Sequence, residues 1–429
     1  MKYLIESYGC QMNMAEASAL DNELEKAGLE RTEDAEKADA VIINTCSVRK
    51  SAEDRIWGRL SYFGHLKKSR NLKIVVTGCM AERLQEDLKK SAPFVDAVIG
   101  TNEKLSILSY LQDDRLERAE RYSFEKSYYQ KGDFSSYVPI MNGCNNFCSY
   151  CIVPYVRGRE VSRSVEDVLQ EVRFLDSMGV KEITLLGQNV NSYSCDGVDF
   201  PGLLSLILKE VDNIEWIRFE SPHPKDFSSQ LIHLIATEKR IASHIHLPMQ
   251  SGSSRILKLM NRKASREDFI ALVDRMRSEI PDLTFATDVM VGFPSETEEE
   301  YEETLSMMEY MHPLEAFMYY YNLREGTPAA RMENQIDEKT KGRRLQNLID
   351  IQMERLFAEK RERVGMVCKV LVTGNTRDDR SRYLGRNEHN EMFSFSSPTP
   401  LSAGRMVTVR ASGLKGNTYI GEVVDGGVC

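Results

Sequence analysis

The sequence predicts an α/β protein in three parts: a parallel-sheet domain, a second and larger βα domain, and a small β-barrel. Three observations predict it. Over the first hundred residues short apolar runs alternate with helical patterns; after a charged stretch the alternation restarts and runs for about 190 residues; beyond Gly365 it gives way to short strands punctuated by Gly, Ser, Asn and Pro. Strands alternating with helices imply a parallel sheet covered on both faces, because a parallel pair needs a long crossover, usually a helix. Short, evenly punctuated strands imply a barrel or sandwich.

In the first part, assigned to residues 1–115, the strand candidates are Tyr3–Ile5, Val41–Ile43, Ile74–Val76 and Ala97–Ile99, with helical patterns such as Ala15–Ala27 and Ala81–Lys89 between them. This is a doubly wound pattern. Asp113–Gly132 is charged, has no clear strand and reads as a linker with some helix. The second part, 133–363, offers Tyr137–Met141, Ile183–Leu186, Ile214–Phe219, His244–Leu247, Leu283–Met290 and Ala316–Tyr321 as strands, and Val165–Met178, Arg266–Ile280 and Glu296–Met311 as helices. Six βα units fit a complete doubly wound sheet or a partial barrel, and periodicity alone does not choose. Thr340–Arg363 is one long helix rich in Arg, Lys and Glu, which suits a solvated connector and an RNA contact equally. The third part, 364–429, has strands at Cys368–Val372, Met392–Phe395, Met406–Arg410 and Tyr419–Val424.

Composition excludes some classes. Hydrophobic residues are 41% and charged residues 28% of 429, ordinary for a globular protein. The start, MKYLIESYGC, is not a secretory signal, and no stretch approaches the roughly 18 apolar residues of a membrane helix, so the cytoplasm is expected and a membrane is not. A net charge of −9 does not suit a nonspecific nucleic-acid binder. The charge is uneven, however. Cys368–Cys429 carries eight Lys and Arg against six Asp and Glu, a local excess of positive charge in an acidic chain.

Nine cysteines carry the chemistry, and in a cytosolic protein clustered cysteines point to metal or catalysis rather than disulfides. Cys144, Cys148 and Cys151 lie within NGCNNFCSYC, directly after a strand. Thiolates this close converge on one small metal centre. Structural zinc sites usually show two separated pairs, whereas a cubane iron–sulfur cluster held by three thiolates keeps one iron open. Cys10, Cys46 and Cys79 are scattered in sequence, but LIESYGC, VIINTC and IVVTGC each place a cysteine just past an apolar strand and just before a helix. In a parallel sheet those strand ends lie side by side, so the three thiols should meet, with helix N-termini stabilising their thiolates.

CNNFCSYC resembles the signature of the radical S-adenosylmethionine superfamily, and the resemblance selects the partial (β/α)6 barrel. YGCQMN, NTCSVR, GCMAER, LLGQNVNSY, SPHP, HLPMQSGSSRILKLMNRK, VGFPSET and NLREGTPAARM resemble the motifs of its methylthiotransferase family across nearly the whole chain, and the tail resembles a TRAM domain, an RNA-binding β-barrel. Within the family, GCQMN, GQNVNSY and the NRK segment most resemble the type acting on N6-isopentenyladenosine at position 37 of tRNA. Sister types act on threonylcarbamoyladenosine or a ribosomal protein.

The resemblance implies two [4Fe-4S] clusters and S-adenosylmethionine as cofactors. Cys144, Cys148 and Cys151 would hold the cluster that binds and cleaves S-adenosylmethionine; Cys10, Cys46 and Cys79 would hold an auxiliary cluster carrying the sulfur. Adenine C2 would be methylthiolated by a radical route. The implied partners are a tRNA anticodon stem-loop and an electron donor such as flavodoxin or ferredoxin, with the enzyme a monomer. An RNA-binding protein with purely structural clusters and an electron-transfer protein are alternatives from other classes.

Further candidates are Gly187, Gln188, Asn189, Gln250 and Asp288 toward the cofactor, and Arg386, Asn387, Arg405 and Lys415 toward the RNA backbone. Arg157, Arg159 and Arg163 offer a phosphate or carboxylate site, or simply a solvated run; His244 and His246 read as strand packing or as groups supporting a ligand rather than as ligands themselves. Cys195, Cys368 and Cys429 lack the strand-end context and are read as non-ligands, and Cys429, being terminal, makes no prenylation signal.

Overall fold

A computed structural model describes residues 1–47, 50–113, 115, 122–124, 126, 129–130 and 132–424. Much of the linker, Val48 and Arg49 of NTCSVR, and Cys429 lie outside the described residues.

The N-terminal sheet contains β1 (Lys2–Ser7), β2 (Glu30–Arg31), β3 (Ala40–Thr45), β4 (Lys73–Gly78) and β5 (Ala97–Ile99), all parallel, in the order β2-β1-β3-β4-β5. Alternation along the strands feeds two cores. Leu4, Val41, Ile43, Ile74 and Val76 meet Ile56, Leu60 and Phe63 of helix Lys50–Ser69 on one face. Tyr3, Ala40, Ile42 and Val75 meet Leu20 and Leu24 of helix Gln11–Lys26 and Ile107 and Leu111 of helix Ser106–Asp113 on the other. The domain is therefore doubly wound. Its strand order reverses between β1 and β3, and the crevice at such a reversal is where open α/β sheets bind ligands. The Ala81–Lys89 pattern is two helices, Cys79–Arg83 and Gln85–Ser91, broken at Leu84. The two-residue β2 is polar and exposed, and periodicity has no grip on it.

Six parallel strands build the central domain: β6 (Ser135–Pro139), β7 (Glu182–Leu186), β8 (Trp216–Phe219), β9 (His244–His246), β10 (Thr284–Val291) and β11 (Glu315–Tyr320). They pair in chain order within β6-β7-β8 and β9-β10-β11, and a bridge between Ile217 and Ile241 joins the two groups. This is a partial barrel, open between β6 and β11. Helix Gln11–Lys26 packs on β6, and its Met12 and Ala15 bury against Tyr137 and Leu186, so the N-terminal domain lies beside the opening.

The long helix Glu338–Glu362 is not merely a solvated connector. Leu348, Gln352 and Leu356 are buried, Arg344 pairs with Glu296 at 2.7 Å, and Lys360 donates to the Asn417 carbonyl of the last domain. That domain is a closed barrel of β12 (Val367–Asn375), β13 (Tyr383–Arg386), β14 (Met392–Ser396), β15 (Met406–Lys415) and β16 (Thr418–Val423). The sequence reading lacks β13, whose YLGR carries little apolar signal; it pairs with β12 and β14, and without it the barrel is open. Among the described residues no helix is long and apolar enough to cross a membrane.

Candidate functional site

Register brings the scattered cysteines together. Ser7 of β1 pairs with Asn44 of β3, and Asn44 with Thr77 of β4, so Cys10, Cys46 and Cys79 leave one end of the sheet from adjacent strands. Gly9 and Gly78 allow the close approach. Gly9 has φ of 131°, and a Cβ there would stand 2.9 Å from Cys46 Sγ; Gly78 has φ of 95°, and a Cβ would overlap the Thr45 carbonyl oxygen. Asn13 locks the loops by donating to the carbonyls of Tyr8 (3.0 Å) and Thr45 (2.8 Å), while its side-chain oxygen lies 3.9 Å from Cys10 Sγ. Cys46 and Cys79 are buried and Cys10 is exposed.

Cys144, Cys148 and Cys151 follow β6 in a loop that folds back on itself. The Cys151 amide donates to the Cys148 carbonyl, the Asn146 amide to Cys144 Sγ, and Gln188 accepts from the Gly143 amide. Burial pushes the Cys144 thiol up to about 11 and Cys151 to about 12, with neighbouring thiols adding to both. Burial also raises Cys79, against the pull of Arg157 and Lys104. Metal loading must therefore displace protons. Among the described residues there is no disulfide, and no three His, Cys, Asp or Glu side chains are placed for a single metal ion. The donor chemistry fits a cluster instead: two all-sulfur sets of three, one per domain. The sets face one another, since Cys79 packs on Ile152 and Val156, just after Cys151. Cys195 and Cys368 stand apart, one beside Asp196 and the other in β12.

The other candidates separate. Gln188 braces the cysteine loop; Asn189 is buried and donates to Asp226; Gln250, with φ of 69°, bridges to β10 beside Asp288; and Gly187 sits tightly against Met141. Asp288 accepts from His246 at 2.8 Å, and Glu220 lies 3.2 Å from the other ring nitrogen. His246 is therefore more than strand packing. Burial lowers its pKa, but the two carboxylates overcome that and hold it near 10. Replacing His246 by Gln is expected to cost about 2 kcal/mol near pH 6, typical for hydrogen bonds to charged groups. A pKa raised on folding gives stability that is complete below the unfolded value of 6.5 and is lost as pH rises through about 10. Urea midpoints of the two proteins should thus converge between pH 6.5 and about pH 10, and a constant gap would refute the charged pair.

Of the three arginines after the cluster, Arg157 and Arg163 are buried in ion pairs with Glu16 and Glu171, and only Arg159 is exposed, 4.4 Å above the Phe147 ring. Arg405 and Lys415 are exposed. Arg386 and Asn387 are instead placed where the last domain meets the starts of the barrel strands. Arg386 pairs with Glu182, and Asn387 is 1% exposed with its side chain hydrogen-bonded inside its own loop. Sequence reasoning did not single out Asn13, Glu16, Lys104 and Arg262, the last placed 4.0 Å from Cys148 Sγ; nothing local to Asn13 and Glu16 on helix Gln11–Lys26 shows that Arg157 of another domain meets them.

Between the three domains lies a cavity of about 120 Å³. Gln11, next to Cys10, lines it together with Tyr137, Phe219, His246 and Phe317 of the central barrel and Arg386 of the last domain.

Residues 2–100 match the model of the Uncharacterized protein family UPF0004, and residues 138–308 that of the radical SAM superfamily. A solved radical S-adenosylmethionine methyltransferase, TsrM from Kitasatospora setae, superposes with a TM-score of 0.56 over 77% of each chain at 14% identity, which is a likeness of fold. Sequence relatives lie much nearer. The tRNA-2-methylthio-N(6)-dimethylallyladenosine synthase of Treponema denticola is 44% identical, covering 98% of this chain and 99% of its own. That of Treponema pallidum is 43% identical over 99% of both, and that of Clostridium perfringens is 40% identical over 99% and 98%. With this identity over essentially the full length, and a radical SAM domain beside the N-terminal cysteine set, the chain belongs to the family of tRNA-2-methylthio-N(6)-dimethylallyladenosine synthases.

Proposed function

We propose that this chain methylthiolates C2 of N6-dimethylallyladenosine (isopentenyladenosine) at position 37 of tRNA, with Cys144, Cys148 and Cys151 holding one [4Fe-4S] cluster and Cys10, Cys46 and Cys79 the other. The observation that carries it is the contact of Cys79 with Ile152 and Val156, which sets the two thiol groups against each other. When bound, the clusters and S-adenosylmethionine supply the radical chemistry and the sulfur. The chain supplies placement. Gln188 and Asn261 hold the barrel cysteine loop, Asn261 donating to the Asn146 and Phe147 carbonyls, and Asn13 holds the N-terminal loops.

The relatives at 40–44% identity are named for dimethylallyladenosine, which favours an apolar N6 substituent. In the cavity Tyr137, Phe219 and Phe317 offer it ring surface, beside the ion pairs of Arg218 and Arg386 with Glu182 and of His246 with Glu220 and Asp288. Arg405 and Lys415 are left to meet the RNA backbone, and the reducing electron comes from a small donor such as flavodoxin or ferredoxin, to a monomeric enzyme in the cytoplasm. Offered anticodon stem-loops bearing either modification, the reconstituted enzyme is expected to favour the isopentenyl substrate by about 100-fold, the scale on which pockets separate related side groups. Faster turnover of the threonylcarbamoyl substrate would overturn the substrate while leaving the chemistry.

A further inference from the structure

Arg157 belongs to the central domain, yet most of its hydrogen bonds cross to the N-terminal one. Its Nη1 donates to Glu16 Oε1 at 2.7 Å and to Asn142 Oδ1 at 2.9 Å; its Nη2 donates to Asn13 Oδ1 and Glu16 Oε2, both at 3.1 Å. Asn142 precedes Gly143-Cys144. Asn13 is the residue that ties the Cys10 and Cys46 loops together. One planar cation, 4% exposed, thus grips both cysteine-bearing loops at once.

The charges around it do not balance. Glu16 is held by Arg157 and also pairs with Lys104, so one buried carboxylate lies between two buried cations. Tyr122 also donates to Glu16, as a neutral hydroxyl. A buried excess of positive charge is unfavourable unless an anion compensates it. The thiols facing that excess are Cys79 and Cys10. Three thiolates around an iron–sulfur cluster supply such an anion.

We infer that Arg157 is a positioning residue that reaches across the domain interface to fix the two cysteine loops relative to each other and to supply counter-charge to the group held by Cys10, Cys46 and Cys79. The inference rests on the reading that these cysteines hold a cluster, and it adds a residue from the opposite domain to that site.

The test uses the full-length protein, reconstituted anaerobically with iron and sulfide, as parent, Arg157→Gln and Arg157→Lys. Three quantities are measured: iron per chain, the midpoint potential of the N-terminal cluster, and the magnetic coupling between the two reduced clusters by pulsed electron paramagnetic resonance. Arg157→Gln should move the potential to more negative values and change the coupling. Arg157→Lys keeps the charge and loses the fork, so it should restore the potential and still show altered coupling. Methylthiolated product should fall about 100-fold in the Gln variant, the cost of roughly 1 Å of misplacement. Parent-like potential and coupling in Arg157→Gln would overturn the inference. If that variant loses iron, Arg157→Lys decides, and parent-like coupling there would overturn the positioning role. A parent that binds only the barrel cluster would overturn the cluster reading beneath it, and iron content reveals that before any variant is compared.

Discussion

Replacing Cys10, Cys46 and Cys79 together by alanine is expected to abolish methylthiolation, to background, while S-adenosylmethionine is still cleaved to 5′-deoxyadenosine. The three thiols leave adjacent strands of a sheet with its own two hydrophobic cores, so their removal leaves the barrel and its cysteine loop intact. Cys46 and Cys79 are buried, and Ala at each deletes a sulfur without adding volume, a change the fold tolerates at a cost of about 1–2 kcal/mol. The converse replacement of Cys144, Cys148 and Cys151 should leave about half the iron, if each set holds a cubane of its own, and no 5′-deoxyadenosine. Chromatography of the nucleosides after a single incubation reads both outcomes. An N-terminal triple variant that still methylthiolates RNA, or one that loses cleavage with its barrel cluster intact, would contradict the division of labour.

Gly143→Ala is expected to have an effect nearly as large from a single methyl group. Gly143 precedes Cys144 with φ of 82°, and a Cβ would overlap the carbonyl oxygen of Arg159. The residue is enclosed on all sides: Gln188 accepts from its amide, the Cys144 amide donates to the Gly158 carbonyl, and Asn142 is gripped by Arg157. The left-handed backbone alone costs about 1–3 kcal/mol for a residue with a side chain, and neither the Arg159 carbonyl nor the buried Asn142 has room to retreat. The cysteine loop must therefore shift as a unit. The expected result is a fall in 5′-deoxyadenosine formation of about 100-fold, as misplacement by roughly 1 Å produces, with a melting temperature lowered by a few degrees. Gly58→Ala, in helix Lys50–Ser69 with nothing within 4 Å of its Cβ, is the control and should leave both unchanged. Parent-like cleavage by Gly143→Ala would show that the loop is not held as tightly as its contacts imply.

Much of this molecule was legible in the chain because the relevant physics is local. Alternating apolar runs and helical periods fix where strands and helices form, and the contiguous CNNFCSYC places three thiols on one short loop wherever that loop lies. The strand-end position of Cys10, Cys46 and Cys79 was enough to predict their convergence, because parallel strands end side by side. Local signals failed where the signal itself was weak, as at β13, or where two conformations shared it, as along Ala81–Lys89.

Tertiary structure decided what no local pattern encodes. Arg157 and Glu16 are 141 positions apart, and nothing in either neighbourhood distinguishes a buried partner from a solvated charge. The same ambiguity applied to the arginines after the cluster, to Asn387 and to the basic residues of the Glu338–Glu362 helix. The fold buried Arg157, Arg163, Asn387 and Arg344 against other elements and left Arg159, Arg405 and Lys415 outside. Spacing in the sequence determined which thiols stand together within a domain. Only the packing of the N-terminal domain along the open side of the barrel determined that the two sets face each other, because that contact depends on surfaces assembled from strands and helices far apart in the chain.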